Sequence, residues 1–211
     1  MTVLHLLATA LNRRDETPNC ELARTIVGTK DVGAVKELVE NLSNKDKGLQ
    51  ADCIKVLYEI GASEPALIAS YYREFGKLLE SNNNRLVWGA MTALDSIALK
   101  EPKGVYSLLP RIVDIAETGS VISRDHAVGI LTKLGTLKQY TDKCVSLLLK
   151  QLVACPGNQF PMYAEMCEQV VTDKNRKALE RVIADRLQRL EKESQKKRIM
   201  KVLKRIARPS T

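Results

Sequence analysis

Residues 53–61 read CIKVLYEIG, residues 90–98 read AMTALDSIA and residues 127–135 read AVGILTKLG. The three stretches start 37 residues apart, so Cys53, Ala90 and Ala127 form one row. Leu57, Leu94 and Leu131 form a second, and Ile60, Ile97 and Leu134 a third. In the first stretch Cys53, Val56, Leu57 and Ile60 fall at i, i+3, i+4 and i+7, which puts them on one face of an α-helix. A fixed period of about 30–50 residues marks a chain of stacked supersecondary units, each too small to bury a core alone.

Each unit reads as two helices, an A helix and then a B helix carrying the stretch above. The spacing predicts A at 31–42 and B at 46–60, then A at 64–80 and B at 84–99, then A at 103–118 and B at 121–134. The A helices keep the same period: Leu38, Phe75, Ile112 and Leu149 form one row, and Leu42, Leu79, Ala116 and Val153 another. A fourth unit spans about 137–171, with a helix over 137–155 that Cys155-Pro156-Gly157 ends. A fifth spans 173–207, where Ile199, Val202, Leu203 and Ile206 restore the core spacing. Residues 2–11 and 18–29 are expected to supply an N-terminal capping pair. Boundary signals agree. Ser43 with Asp46 has the form of a capping box, and Ser63-Glu64-Pro65 offers a cap and a first-turn proline. Gly61 and Gly135 stand where a left-handed helix end is expected.

Units of this length, with Ala or Cys on the inner face of B and ends such as Leu57-Tyr58-Glu59-Ile60-Gly61 and Leu131-Thr132-Lys133-Leu134-Gly135, resemble HEAT or armadillo-type repeats. The pattern departs from the family in its prolines and charged pair. Pro110 is the one proline well inside an A helix, and Arg124-Asp125 gives the usual Asp–Arg pair reversed. The resemblance implies an all-α fold, a right-handed α-solenoid of about five helix pairs. It would form a single domain over 1–211, with capping helices at 1–30, about four repeats over 31–172 and a basic capping repeat at 173–211. It also implies a concave surface lined by the B helices.

Composition fits helices. Hydrophobic residues make up 45%, aromatics only 4% with a single Trp, so the core must be Leu, Ile, Val and Ala. Gly and Pro together number 18, too few for a chain of tight β-turns. The five cysteines are odd in number and have no CxxC spacing, which argues against a disulfide framework and for a reducing compartment. The basic residues of the N-terminus follow its short apolar run instead of preceding it, unlike a signal peptide. No apolar run approaches the ~20 residues of a membrane span. A cytoplasmic protein is expected, or a nuclear one in a eukaryote.

Chemistry is sparse. The chain has no GxxxxGK[ST], GxGxxG, HExxH or GxSxG, and only His5 and His126 as imidazoles. No cofactor, metal or catalytic residue is therefore expected. On helix B the row Ala51, Trp88 and Asp125 lies opposite the core row, with Arg85 and Asp95 beside Trp88 and Tyr58 on the preceding unit. Trp, Tyr and Arg are the residues that most often anchor interfaces, so Tyr58, Arg85, Trp88, Asp95 and Asp125 are the expected partner-binding set. Against this stands the plainer reading that Trp88 packs on the next repeat.

The net charge of +8 sits at one end. Residues 174–208 hold 14 Lys and Arg against 4 Asp and Glu, and the rest holds 19 against 21. Lys197, Lys201, Lys204 and Arg208 form one helical stripe. Such a stripe tracks phosphates, steers an acidic partner or simply solvates a cap. The leading reading is a non-enzymatic scaffold or adaptor holding a protein partner, an acidic one by charge. The alternative is a HEAT-like nucleic-acid binder using the basic end, in its extreme form a DNA glycosylase with Trp88 and Asp95 at an extruded base.

Overall fold

The structure is a computed structural model that describes residues 2–208. Among them there are twelve α-helices and no strand. The first six are α1 (Thr17–Thr29), α2 (Val32–Glu40), α3 (Lys47–Ser63), α4 (Tyr72–Leu78), α5 (Asn84–Ile97) and α6 (Pro102–Ser107). The rest are α7 (Leu109–Thr118), α8 (Val121–Gly135), α9 (Thr141–Ala154), α10 (Phe160–Cys167), α11 (Arg176–Leu187) and α12 (Glu193–Ile206). They group into two compact units, the first ending at Ala127 and the second starting at Val128. In the first unit α1 packs on α3 and α3 on α5; in the second α9 packs on α11, and α10 and α11 on α12.

The rows that define the repeat are buried. Cys53, Ala90 and Ala127 are fully enclosed, as are Leu57, Leu94 and Leu131 and the Ile60, Ile97 and Leu134 row. Each large aliphatic side chain so enclosed contributes about 1.5–3 kcal/mol relative to exposure. The A-helix rows hold for Leu38, Phe75 and Ile112, then slip. Val153 is 56% exposed, and Leu148 and Leu152 take the enclosed places instead. The spacing thus shortens by one residue in the fourth unit, from Ile112 to Leu148 and from Leu131 to Cys167.

Side-chain caps mark the starts of α2, α3, α5 and α6. Asp31 accepts from the Ala34 N–H of α2, Asn83 from Arg85 of α5 and Glu101 from Gly104 of α6. Asp46 is itself the N-cap of α3, accepting from Gly48 at 2.8 Å and Leu49 at 3.2 Å, so the expected Ser43–Asp46 box reduces to a single Asp cap. Two expected A helices are broken. The 64–80 segment forms 3-10 turns at Pro65–Leu67 and Ala69–Tyr71 before α4, with Ile68 between them. Ile68 is fully buried, and its side chain occupies the space beside Gly61. The 103–118 segment splits at Leu108 into α6 and α7, since Pro110 lacks an N–H and its ring clashes one turn back.

Neither Gly61 nor Gly135 is a left-handed cap, because no glycine among the described residues has a positive φ. Gly61 lies inside α3, where a Cβ would come within 2.4 Å of Ser96 Oγ. It is there for close packing. Residues 2–11 form one 3-10 turn, Leu4–Leu6, instead of the expected helix.

Candidate functional site

The first unit contains a groove of about 570 Å³ between α3, α5 and the N-terminal segment. Its floor is made where α3 and α5 come unusually close. Gly89 on α5 permits this, since a Cβ there would lie 2.3 Å from Ile54 Cγ1 on α3. Ala51, Lys55 and Tyr58 of α3 and Arg85, Trp88 and Thr92 of α5 line it, with Ile122 at one end.

The opposite wall is the chain's own N-terminal segment, fixed by its backbone. Leu7 and Ala8 are buried. The Ala8 N–H donates to Asn19 Oδ1 at 3.0 Å, and the Thr9 N–H donates to Asp52 Oδ2 at 2.7 Å. Asn19 Nδ2 donates to the other Asp52 oxygen at 2.8 Å. A non-helical stretch must find partners for its N–H groups outside a ladder, and α1 and α3 supply them.

Most charges of the groove are spent internally. Arg13 forms a bidentate pair with Asp15 at 2.9 and 2.8 Å. A hydrogen bond from the Thr17 side chain, and then Arg13, hold the Asp15 carboxyl down at about 2. Lys55 reaches Glu16 at 2.9 Å and Glu59 at 2.8 Å, and its ammonium lies 4.9 Å from the Tyr58 ring centre. Burial works against the Lys55 ammonium, but the two carboxylates outweigh it and raise its pKa. Burial raises the Tyr58 phenol. Arg14 and Arg85 are exposed at the groove, and among the described residues neither is in an ion pair.

Of the five residues expected at a partner site, Tyr58, Arg85 and Trp88 line this one groove. Asp95 and Asp125 are half-buried elsewhere. Asp95 Oδ2 pairs with His126 Nδ1 at 3.0 Å, and His126 Nε2 meets Thr92 Oγ1 at 3.0 Å. This has the outline of a nucleophile, an imidazole and an orienting acid. The chemistry does not follow from the outline. The Thr92 hydroxyl donates to the Trp88 carbonyl at 2.9 Å, so its proton is committed within the helix. Mid-helix N–H groups are likewise engaged in i→i−4 bonds and leave no donor for a developing oxyanion. The network ties α5 to α8.

In the second unit Lys197, Lys201, Lys204 and Arg208 are all exposed, and among the described residues none is in an ion pair. Their neighbours Arg198 and Arg205 are held by bidentate pairs to Glu165 and Glu168, with distances of 2.6–2.9 Å. Asn19, Asp52 and Arg14 were not among the expected residues. Arg14 and Asp52 line the groove, Arg14 through the course of the N-terminal segment and Asp52 from α3, and Asn19 is buried behind them on α1.

No family model and no curated protein matches the sequence. Solved structures do match. A designed armadillo repeat protein in complex with the peptide (KR)4 has a TM-score of 0.70 at 16% identity, over 88% of this chain and 86% of that one. A computationally designed armadillo repeat protein for modular peptide recognition gives 0.68 at 16%, over 90% and 92%. The chain has an armadillo-type helical-repeat fold. A further engineered protein gives 0.67 at 19% identity, over 98% of this chain and 97% of that one. The armadillo-type fold accounts for the helix pairs and the buried rows. Among the described residues no helix is long and apolar enough to cross a membrane.

Proposed function

We propose that the chain is a scaffold that binds an extended segment of a partner protein in the groove of its first unit. The observation that carries this reading is that Tyr58 and Trp88, from successive repeats, and Arg85 line a single groove. The half-buried Trp88 and Tyr58 rings offer rigid contact area at low entropic cost, and Arg85 a charged anchor. The backbone of Ala8 and Thr9, gripped by Asn19 and Asp52, shows that neighbouring inner side chains hold non-helical peptide in this fold. Two designed proteins of this fold are described as peptide binders, one of them with a (KR)4 peptide.

The charge of the partner is acidic in this reading. The carboxylates at the groove are occupied, Asp15 by Arg13, Glu16 by Lys55 and Asp52 by Thr9 and Asn19. The unengaged charges are Arg14 and Arg85, which suit Asp or Glu flanking an apolar side chain.

Trp88 is the only tryptophan, so its emission reports groove occupancy directly. Peptides selected from a random display library should be enriched in Asp and Glu beside an apolar residue, and should perturb that emission. Arg14→Glu with Arg85→Glu should abolish their binding, and Trp88→Ala should weaken it at least about tenfold with helicity unchanged. Peptides that bind without perturbing Trp88, or that tolerate both variants, would overturn the assignment.

A further inference from the structure

We infer that the outer face of α12 is a sequence-blind docking site for the phosphate backbone of duplex nucleic acid. The site lies in the second unit and is independent of the peptide groove. Ile199, Val202 and Ile206 are buried and define the inward side of the helix. At 100° per residue, Lys197, Lys201 and Lys204 fall almost opposite that seam, and Arg208 follows just beyond the helix end at Ile206. All four are exposed, and among the described residues no carboxylate pairs with them. On the α11 side lies a groove lined by Lys177, Glu180, Arg181, Ala184, Leu203 and Ala207, with two cations against one carboxylate.

Spacing and side-chain type select the occupant. At 1.5 Å per residue the helical part of the stripe, Lys197 to Lys204, runs about 10 Å, and Arg208 continues it past the helix end. A duplex strand presents a phosphate every ~3.4 Å of axis, so the helical part spans about three phosphates of one strand and Arg208 adds a contact for a fourth. The two arginines flanking the stripe on α12 are engaged in bidentate forks, Arg198 on Glu165 and Arg205 on Glu168. The stripe is mostly lysine, a rotatable point charge suited to phosphates met at varying angles. An anionic membrane is a poorer fit, because the apolar side of α12 is inside the core and only Met200 is left outward to insert. Single strands are a poorer fit too. Residues 174–208 contain no Phe, Tyr or Trp on which unpaired bases would stack.

The test is fluorescence anisotropy of the full chain with labelled 20-base-pair DNA and RNA duplexes of unrelated sequences, from 50 to 200 mM salt. Four phosphate contacts predict a log–log salt slope near −3.6, or about a 100-fold loss over that range, with little dependence on sequence. Lys197/Lys201/Lys204→Gln should remove most of the binding and flatten the slope, and Lys197→Ala alone should reduce it by about one. Both variants should keep wild-type helicity and melting, since the residues are exposed. Trp88→Ala should bind duplex normally. Preference for DNA or RNA duplex identifies the source and supports the site in either case. The inference is overturned by no duplex binding at 50 mM salt, by duplex binding that the Gln variant retains, or by tighter binding to single strands. Tighter binding to phosphatidylserine vesicles or to poly-glutamate would overturn it as well.

Discussion

Asn19 and Asp52, 33 residues apart, share one hydrogen bond of 2.8 Å and together hold the backbone of Ala8 and Thr9 against α1 and α3. The N-terminal segment is thereby made a wall of the groove. Replacing Asp52 with Ala leaves the Thr9 N–H and the Asn19 amide without their acceptor. The expected cost is about 1–3 kcal/mol in chemical denaturation. Amide exchange at Ala8 and Thr9 should accelerate selectively, and exchange rates there equal to wild type would refute the clamp.

Gly89→Ala tests the close approach of α3 and α5. Ala is favoured over Gly inside a helix by about 1 kcal/mol, so an open site would be stabilised. Here the new methyl would sit 2.3 Å from Ile54 Cγ1. Overpacking of this kind costs about 1–3 kcal/mol, and the net change should be destabilising. In the double variant with Ile54→Ala the losses should be clearly less than additive, because each change relieves the other. Additive losses would mean that the two helices do not meet at this point.

Thiol reactivity should divide the cysteines one against four. Cys20 is half-exposed, while Cys53, Cys144, Cys155 and Cys167 are buried. Burial pushes the Cys53 and Cys167 thiols up to about 12 and Cys144 to about 11, so their thiolates are scarce at neutral pH. An aromatic disulfide reagent at pH 7.5 should label one thiol per native chain quickly and all five after unfolding. Rapid labelling of two or more native thiols would contradict the packing of the repeat rows.

Arg186 secures the second unit. Its guanidinium donates to the Val153 carbonyl at 3.0 Å and the Cys155 carbonyl at 2.6 Å, at the end of α9, and lies 5.1 Å from the Phe160 ring centre. Charge-assisted bonds to carbonyls left open at a helix C-terminus oppose its negative pole. Arg186→Ala should destabilise the protein by about 1–3 kcal/mol. Lys, which has one ammonium and no planar face, should recover less than half of that. Full rescue by Lys would reduce the contact to simple charge.

The helix pairs and their enclosed faces were legible in the sequence, because burial on a helix follows a short local period. Leu57, Leu94 and Leu131 were recognisable by spacing alone and are all enclosed. Tyr58, Arg85 and Trp88 were also recognisable as one cluster, since they lie on the sides of α3 and α5 that the core rows leave outward. Asp95 was not separable from them by spacing. In the structure it pairs with an imidazole 31 residues later and does not line the groove. The break at Ile68 and the one-residue slip at Leu148 depend on which side chain fills a space beside another helix. Helical periodicity carries no information about that.

The sequence by itself determined that this is an all-α chain of helix pairs, the rows that form its core and the end that carries its positive charge. A 3.6-residue period and a 37-residue repeat are properties of the chain taken one segment at a time. Only the tertiary structure decided that residues 7–16 would wall a groove and that Asn19 and Asp52 would grip them. It also decided that Arg14 and Arg85 would be left with their charges unspent. Those outcomes depend on distances between segments far apart in sequence, where unsatisfied backbone groups and charges take whichever partner the packing brings within reach.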